Sequence, residues 1–474
     1  MADILTPDLC VIGGGSAGLS IAAGAVQMGS SVVLIENHKM GGDCLNYGCV
    51  PSKALLAAGK KAQSFRKANK MGIKGSLESV EFEAVMGHVK NVIATIEPHD
   101  SQERFEGLGV TVLRGSGKFT GPKELEIDGQ KIRARRFVVA TGSTAFVPPI
   151  PGLDQIDYLT NESVFDLAAL PSKLLVVGGG PIGCELAQAF RHLGAQVAIF
   201  EMFSLMPKDD PEAVEIVRQS LVNDGVEIFE DAQVSGFEKS TSGAKILFEK
   251  NGEQQEIEGS HVLIATGRKP SVDGLGLEQA KVDFDRRGIK VDKGLRTSNR
   301  KIYAAGDVAG SYQFTHVAGY HAGVIVRSAL FRLPAKVDYK AVPWVTYTSP
   351  EVANVGLTEV EAKDQGLDYQ ILRAEFDGND RAVAEDDKQG FVKVLVTPKG
   401  KILGASMVGT NAGEIIQVWA LAITNKLKIS ALTSMISPYP TRGEINKRAA
   451  GSFYTPKLFS EKTKKIVRFL ARFG

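Results

Sequence analysis

Two cysteines separated by four residues, Cys44 and Cys49, lie in the run Gly41-Gly42-Asp43-Cys44-Leu45-Asn46-Tyr47-Gly48-Cys49-Val50-Pro51-Ser52-Lys53. Thiols framed by glycines and followed by a lysine suit a reversible disulfide. On a regular helix, positions five apart differ by about 7.5 Å in rise, beyond the usual Cα spacing of a disulfide. The segment must therefore bend, and Gly48 permits the backbone angles a bend needs. The competing reading is a pair of inert core thiols, since free cysteine is among the most buried residue types. The chain has only four cysteines, and two of them fall in this frame. That placement favours chemistry. Cys10, in an apolar strand, and Cys184, beside a packing glycine, read as core residues.

The elements around this run are those of a nucleotide-binding fold. Leu9-Cys10-Val11-Ile12 is a short apolar strand leading into Gly13-Gly14-Gly15-Ser16-Ala17-Gly18, followed by a helical stretch from Leu19 to Met28 and a second strand, Val32 to Ile35, ending at Glu36. The first glycine makes the turn, the second lets a pyrophosphate approach the backbone, and the third allows close helix packing. The helix N-terminus attracts the phosphate charge, and the acid accepts hydrogen bonds from a ribose. The unit recurs as Leu174–Val177, Gly178-Gly179-Gly180-Pro181-Ile182-Gly183, a helix through Leu193 and Val197–Glu201; first glycine to acid spans 23 positions in both copies. One glycine fingerprint is weak, whereas two full copies at matching spacing imply two dinucleotides, or one dinucleotide and one flavin. A second internal repeat closes the strands Val138-Val139 and Leu263-Ile264 in Ala140-Thr141-Gly142 and Ala265-Thr266-Gly267, where the chain is expected to cross between domains. Ile302-Tyr303-Ala304-Ala305-Gly306-Asp307 is a further strand ending in a turn. At Glu201 an acid would bind a ribose 2′-hydroxyl and repel a 2′-phosphate, and no Arg or Lys follows until Lys208, so NADH is expected over NADPH.

Length and composition agree with an enzyme of several domains. A chain of 474 residues is too long for one core. A net charge of +2 gives no global pull toward nucleic acid or membrane. No apolar run reaches the roughly 18 residues of a membrane span. The acidic start Met1-Ala2-Asp3-Ile4 carries no visible signal peptide, and few cysteines fit a reducing compartment, so a cytoplasmic address is expected.

The ordered set of first fingerprint, Cys-x4-Cys-Val-Pro-Ser-Lys, Ala-Thr-Gly, second fingerprint, second Ala-Thr-Gly and Ala-x-Gly-Asp resembles the flavoprotein pyridine nucleotide-disulfide oxidoreductases, over essentially the whole chain. That family includes dihydrolipoamide dehydrogenase, glutathione reductase and mercuric reductase. The resemblance implies an α/β fold with two Rossmann-like dinucleotide-binding domains, for FAD and NAD(P), plus a C-terminal α+β dimerisation domain. The implied layout is an FAD-binding domain over 1–150, an NAD(P)-binding domain over 151–270, a second FAD-binding part over 271–345 and an interface domain over 346–474. The active site would be shared across a homodimer. FAD would be bound by the first fingerprint (Gly13, Gly15, Gly18 and Glu36) and Asp307, and the nicotinamide cofactor by Gly178, Gly180, Gly183 and Glu201. Ser16, Ala17, Gly42, Lys53, Gly117, Thr141, Gly142, Gly267 and Gly306 would complete the cofactor contacts. Cys49 is then the flavin-proximal thiol, Cys44 the thiol that attacks substrate, and Lys53 the ion-pair partner of Glu185 beside the flavin. No resident metal is expected.

The departures from the family narrow the function. Disulfide-reducing members carry His-Pro-Thr-x-x-Glu near the C-terminus, the histidine serving as acid–base partner of the interchange thiol. Here the stretch reads Tyr439-Pro440-Thr441-Arg442-Gly443-Glu444. A phenol with an ordinary pKa of about 10 is a poor base at neutral pH beside imidazole at about 6.5. The mercuric-reductase branch is similar in carrying tyrosine at this place and a second substrate-site tyrosine, matched here by Tyr158; a surface loop aromatic is the competing reading for Tyr158. That branch also ends in a vicinal cysteine pair, whereas no cysteine follows Cys184 here. The expected function is electron transfer from NADH through FAD and the Cys44–Cys49 disulfide to a thiol-reactive substrate, either a small disulfide or a thiol-bound metal ion. The alternatives are a dihydrolipoyl dehydrogenase with Tyr439 in place of histidine, and an electron-transfer or NADH-sensing flavoprotein docked through its tail. That tail, 457–474, is basic, with Leu458, Ile466, Leu470 and Phe473 able to share one helical face. It can meet a membrane surface or a partner, or pack on its own dimer.

Overall fold

Apolar runs bounded by glycine turns form fully buried parallel strands, because helices cover both faces of such sheets. In the computed structural model, which describes residues 3–473, Leu9–Ile12 is the central strand of a five-stranded sheet. Its order is Ile302–Ala304, Arg136–Val139, Leu9–Ile12, Val32–Glu36, Thr111–Arg114, and every pairing is parallel. The helices Ser16–Gln27 and Thr315–Ala329 pack together, and Leu19, Ile21, Ala22, Ala318, Ala322 and Ile325 lie in one buried cluster. The expected helix thus begins three residues earlier than Leu19, at the turn itself. The first two residues of the acidic N-terminus and Gly474 of the tail lie outside the described residues.

The second fingerprint builds a second sheet, in the order Val226–Phe229, Gln196–Phe200, Lys173–Val177, His261–Ile264, Tyr158–Leu159. The two copies match at the level of single contacts. The Gly13 N–H donates to Ile35 O and the Gly178 N–H to Phe200 O, both at 2.8 Å. The strands that close in Ala-Thr-Gly lead into a two-stranded antiparallel ribbon, Ser143–Ala145 against Arg268–Pro270. There the hydrogen bonds are reciprocal: Thr141 Oγ1 donates to Ser271 O at 2.7 Å and Thr266 Oγ1 to Phe146 O at 2.8 Å. Each copy of the second internal repeat thus leads from its own sheet into one strand of this shared ribbon.

The chain divides into two compact units, residues up to Met202 with Glu227–Val337, and Phe203–Val226 with the chain from Asp338 onward. The second unit is built on a five-stranded antiparallel sheet ordered Pro343–Thr346, Glu351–Gly356, Ile402–Gly409, Phe391–Val396, Gln370–Glu375. The helix Pro211–Asn223 and its approach, which lie within the expected span 151–270, are tied to this second sheet. Asp209 Oδ1 accepts from Trp344 Nε1 at 2.8 Å and from Asn354 Nδ2 at 2.7 Å, and the buried Lys393 Nζ donates to Asp210 Oδ2 at 2.8 Å. Burial opposes the charge of Lys393, but the hydrogen bonds to Asp210 and Glu212 outweigh it and raise its pKa. Asp210, Glu212 and Glu359 could by themselves have suggested a metal cluster, and Lys393 supplies their cation.

The tail is not one helix. Thr455–Leu458 is a single turn, and Glu461–Leu470 starts afresh where Ser460 Oγ accepts the Thr463 N–H at 3.3 Å. Leu458 therefore does not share a helical face with Ile466 and Leu470 as the spacing had suggested.

Candidate active site

The bend demanded by the cysteine spacing lies at Gly48, between the short helix Gly42–Asn46 and the long helix Cys49–Lys67. Gly48 has φ −126° and ψ −110°, and a Cβ there would come within 2.8 Å of Asp43 Oδ2. Both cysteines are free thiols, Cys44 partly buried and Cys49 solvent-accessible. They are in hydrogen-bond contact, and that bond is the main cause of a thiol pKa well below the ordinary value at Cys49. Burial works against the lowering, while the Thr315 hydroxyl and the Lys53 ammonium reinforce it. Cys44 is pushed up by the same hydrogen bond and by burial. At neutral pH Cys49 is thus the thiolate and Cys44 the thiol that donates to it.

Neighbouring groups hold this loop in place. Asn161 Nδ2 donates to Asp43 Oδ1 at 3.0 Å and to Tyr47 O at 3.2 Å, tying the cysteine loop to the segment after Tyr158-Leu159. Arg268 Nη2 lies 3.1 Å from Asp43 Oδ1, and Arg268 Nε donates to Ser143 Oγ at 2.7 Å. Ser143 Oγ in turn donates to Asp307 Oδ2 at 2.5 Å. Burial raises the Asp307 pKa, opposed by Ser143 and Arg268. Thr315, first residue of its helix, places Oγ1 3.3 Å from Cys49 Sγ. None of Asn161, Arg268, Ser143 or Thr315 was singled out from the sequence. The available signal was adjacency, since Ser143 and Arg268 directly follow the two Ala-Thr-Gly triplets.

Lys53 Nζ is 2.8 Å from Glu185 Oε2, the lysine part-exposed and the glutamate buried. Their helices, Cys49–Lys67 and Pro181–Leu193, approach closely because Gly59 faces Ala189; a Cβ at Gly59 would lie 3.2 Å from Ala189 O. Cys10 and Cys184 are fully buried, and Cys184 Sγ donates to Gly179 O at 3.3 Å.

The two glycine turns divide their tasks alike. A Cβ on Gly13 would meet Ala140 O at 2.3 Å, and one on Gly178 would meet Ala265 O at 2.4 Å. On Gly18 and Gly183 it would strike the carbonyl of the first glycine at 1.8 and 1.9 Å. The middle glycines differ: Gly180 has nothing within 4 Å, and Gly15 only Gly42 Cα at 3.8 Å. First and third positions serve the protein's own packing, and the middle position leaves the backbone open to a ligand, which fits a dinucleotide pyrophosphate at each helix N-terminus. The acids cap the same turns, Glu36 Oε2 accepting from the Gly14 N–H at 2.6 Å and Glu201 Oε2 from the Gly179 N–H at 2.7 Å. Gly42 lies against this turn, where a Cβ would come within 2.7 Å of Gly15 Cα, and Gly306 adopts φ +71° beside Asp307. Gly142 and Gly267 take positive φ with open space around them. Gly117 instead faces Ile35 and Leu125 side chains, a packing contact. Ser16 and Ala17 open the first helix.

Tyr158 is exposed on the two-residue strand Tyr158–Leu159. In the second unit Tyr439 is exposed, and its hydroxyl donates to Asp380 Oδ2 at 2.8 Å. That bond, the Asp380 charge and the nearby Glu444 raise the phenol pKa. Glu444 begins the helix Glu444–Ser452.

Two dinucleotide cradles, a free thiol pair and a lysine–glutamate pair define a two-cofactor dithiol oxidoreductase. The family model described as pyridine nucleotide-disulphide oxidoreductase matches residues 7–322, and the dimerisation domain of the same family matches 342–450. A mercuric reductase of Lysinibacillus sphaericus is 35% identical over 449 residues, covering 94% of this chain and 82% of that protein. A dihydrolipoyl dehydrogenase of Bacillus subtilis (strain 168) is 34% identical over 446 residues, covering 92% and 96%. Among solved structures, the HOCl-induced flavoprotein disulfide reductase RclA from Escherichia coli aligns with a TM-score of 0.83 and 28% identity, covering 94% of this chain and 99% of that one. A Cu(II) complex of the same protein aligns with a TM-score of 0.85 and 25% identity, covering 95% and 100%. The chain belongs to the pyridine nucleotide-disulphide oxidoreductase family. It is an FAD-binding, NAD(P)H-dependent oxidoreductase whose dimerisation domain supports a homodimer. Among the described residues no helix is long and apolar enough to cross a membrane.

Proposed function

We propose that this enzyme uses NADH to reduce a soft metal ion held by Cys44 and Cys49, rather than a disulfide. The observation that carries the reading is the hydrogen bond from the Tyr439 hydroxyl to Asp380. Disulfide exchange needs a group that takes and returns a proton beside the interchange thiol. A phenol whose hydrogen is committed to a carboxylate, and whose pKa is raised, does not do this at neutral pH. A metal ion makes no such demand, and two sulfurs are good ligands for soft cations. The name of one similar protein, a mercuric reductase, accords with that choice, and a similar flavoprotein disulfide reductase has been solved as a Cu(II) complex.

In this reading Gly15 and Gly180 receive the two pyrophosphates, and Glu201 selects a free ribose 2′-hydroxyl. FAD, when bound, would supply the chemistry that carries the two electrons of an NADH hydride to the ion held between the sulfurs, which stay reduced, so that one divalent ion leaves as the element or two ions each take one electron. Lys53, held by Glu185, and Thr315 keep Cys49 as thiolate. Cys44 gives up its proton as it takes the metal. Asn161 and Arg268 fix Asp43 and hence the loop carrying Cys44.

The test is anaerobic reduction of the FAD-loaded protein with NADH, followed through its spectrum, then a panel of Hg(II) and Cu(II) thiol complexes, lipoamide and oxidised glutathione. Metal-dependent oxidation of NADH, lost in Cys44→Ser and Cys49→Ser, is expected, with NADH preferred to NADPH. Faster turnover of lipoamide or oxidised glutathione overturns the metal reading. Unchanged turnover in both cysteine variants overturns the dithiol site itself.

A further inference from the structure

The end of the chain takes no part in the site described above. In the helix Glu461–Leu470 and the turn after it, Ile466, Phe469, Leu470 and Phe473 fall on one side, and all are exposed, from 48% at Ile466 to 74% at Phe473. Lys464, Lys465, Arg468 and Arg472 lie on the other side at helical spacing. Just before the helix, Phe459 is 69% exposed. Exposed aromatic and aliphatic side chains this dense are uncommon on a surface that meets only water.

The charge says what kind of surface fits them. From Lys457 to Phe473 six basic residues face one acid, Glu461, a net of +5, whereas the whole chain carries +2. The remainder is therefore net −3, and the attraction for anions is concentrated in this segment. The segment also lies beyond the dimerisation-domain match, which ends at residue 450. Two such tails meeting each other would bring +5 against +5. An apolar stripe flanked by lysine and arginine is the pattern of a helix lying in a lipid interface, its stripe at the acyl boundary and its cations among anionic headgroups.

We propose that residues 457–473 form a peripheral anchor that binds this enzyme reversibly to an anionic lipid surface. Ile466, Phe469, Leu470 and Phe473 enter the interface, and Lys464, Lys465, Arg468 and Arg472 engage headgroup phosphates. The reductase would then act at a membrane face without spanning the bilayer.

The experiment is flotation of the FAD-loaded full chain with vesicles of phosphatidylglycerol in phosphatidylcholine, against pure phosphatidylcholine. Binding to the anionic vesicles alone is expected, weakened about tenfold by salt that shortens the screening length to about 3 Å. Deleting 457–474 should abolish it, as should Phe469→Ser with Leu470→Ser, which leaves the charge intact. FAD content and NADH–ferricyanide activity in solution should match the parent, showing that the variants are folded. Absence of binding by the full chain overturns the proposal, as does binding that survives the deletion. If the tail instead covers a second copy, the deletion lowers the mass seen by light scattering and the full chain ignores vesicles, which also overturns it. None of these outcomes depends on the substrate of the thiol pair.

Discussion

Tyr439 and Asp380 share a hydrogen bond of 2.8 Å in which the phenol is the donor. The relationship matters because Tyr439 holds the sequence position at which disulfide-reducing relatives of this family are expected to place a histidine. Had the phenol been the acceptor of a strong donor, its pKa would fall and it could act as a base. As donor to a carboxylate, with Glu444 adding negative charge nearby, it is held above its ordinary value. The residue is thus a fixed neutral hydroxyl across the physiological range.

Replacing that hydroxyl tests its role directly. Tyr439→His should confer or raise dihydrolipoamide turnover by at least about tenfold, since positioned acid–base groups contribute roughly 10²–10⁴ when optimised. The gained activity should carry an inflection near the imidazole pKa of about 6.5. Tyr439→Phe should leave any disulfide turnover unchanged between pH 6 and 9, because no proton is exchanged there. A bell-shaped profile in the parent that vanishes in Tyr439→Phe would show the phenol acting as acid after all.

At the thiol pair, Thr315 offers the second handle. Hydrogen bonds to a charged group are worth about 1.5–3 kcal/mol, and one pKa unit is about 1.4 kcal/mol. Thr315→Val should therefore raise the Cys49 thiolate pKa in the reduced protein by about one unit. The parent should titrate well below the ordinary cysteine value of about 8.5, read as pH-dependent alkylation with iodoacetamide. Thr315→Ser, which keeps the hydroxyl, should behave as the parent. An identical titration in Thr315→Val would assign the lowering to Cys44 and Lys53 alone.

Much of this was legible from residue order, and the gaps have physical causes. Both glycine turns, their acids and the bend at Gly48 could be read because each rests on local backbone geometry that only certain residues tolerate. The pairing of Lys53 with Glu185 came from resemblance, and no periodicity could have placed two helices 132 positions apart in contact. Thr315, Asn161 and Arg268 were missed for the same reason, since an ordinary polar residue becomes specific only when the fold brings it to a partner. The segment 203–226 falls within the nucleotide domain in the layout the resemblance implies. Its membership of the second unit depends on a buried lysine, Lys393, and on Trp344 and Asn354, which lie more than a hundred residues downstream. The break at Ser460 was missed because a serine cap inside a lysine-rich stretch is masked by the strong amphipathic pattern around it.

His321 carries a consequence for acid stability. It is fully buried in the helix Thr315–Ala329, its Nδ1 accepts the Gly306 N–H at 3.1 Å, and burial lowers its pKa to about 4. An unfolded chain protonates the same imidazole near 6.5, so between about 4 and 6.5 the unfolded state binds more protons. Stability from the neutral imidazole is therefore complete above about pH 6.5 and is lost as pH falls toward 4, a change of about 3 kcal/mol at most. Protonation of Nδ1 removes its hydrogen bond from the Gly306 N–H, so, with FAD proposed to sit at the Gly306–Asp307 turn, release of FAD, followed by its fluorescence, should accompany the loss. His321→Gln can still accept from Gly306 but does not titrate, and its thermal midpoint should fall less than the parent's between pH 7 and pH 4.5. Equal falls in the two proteins would place the acid sensitivity at other groups.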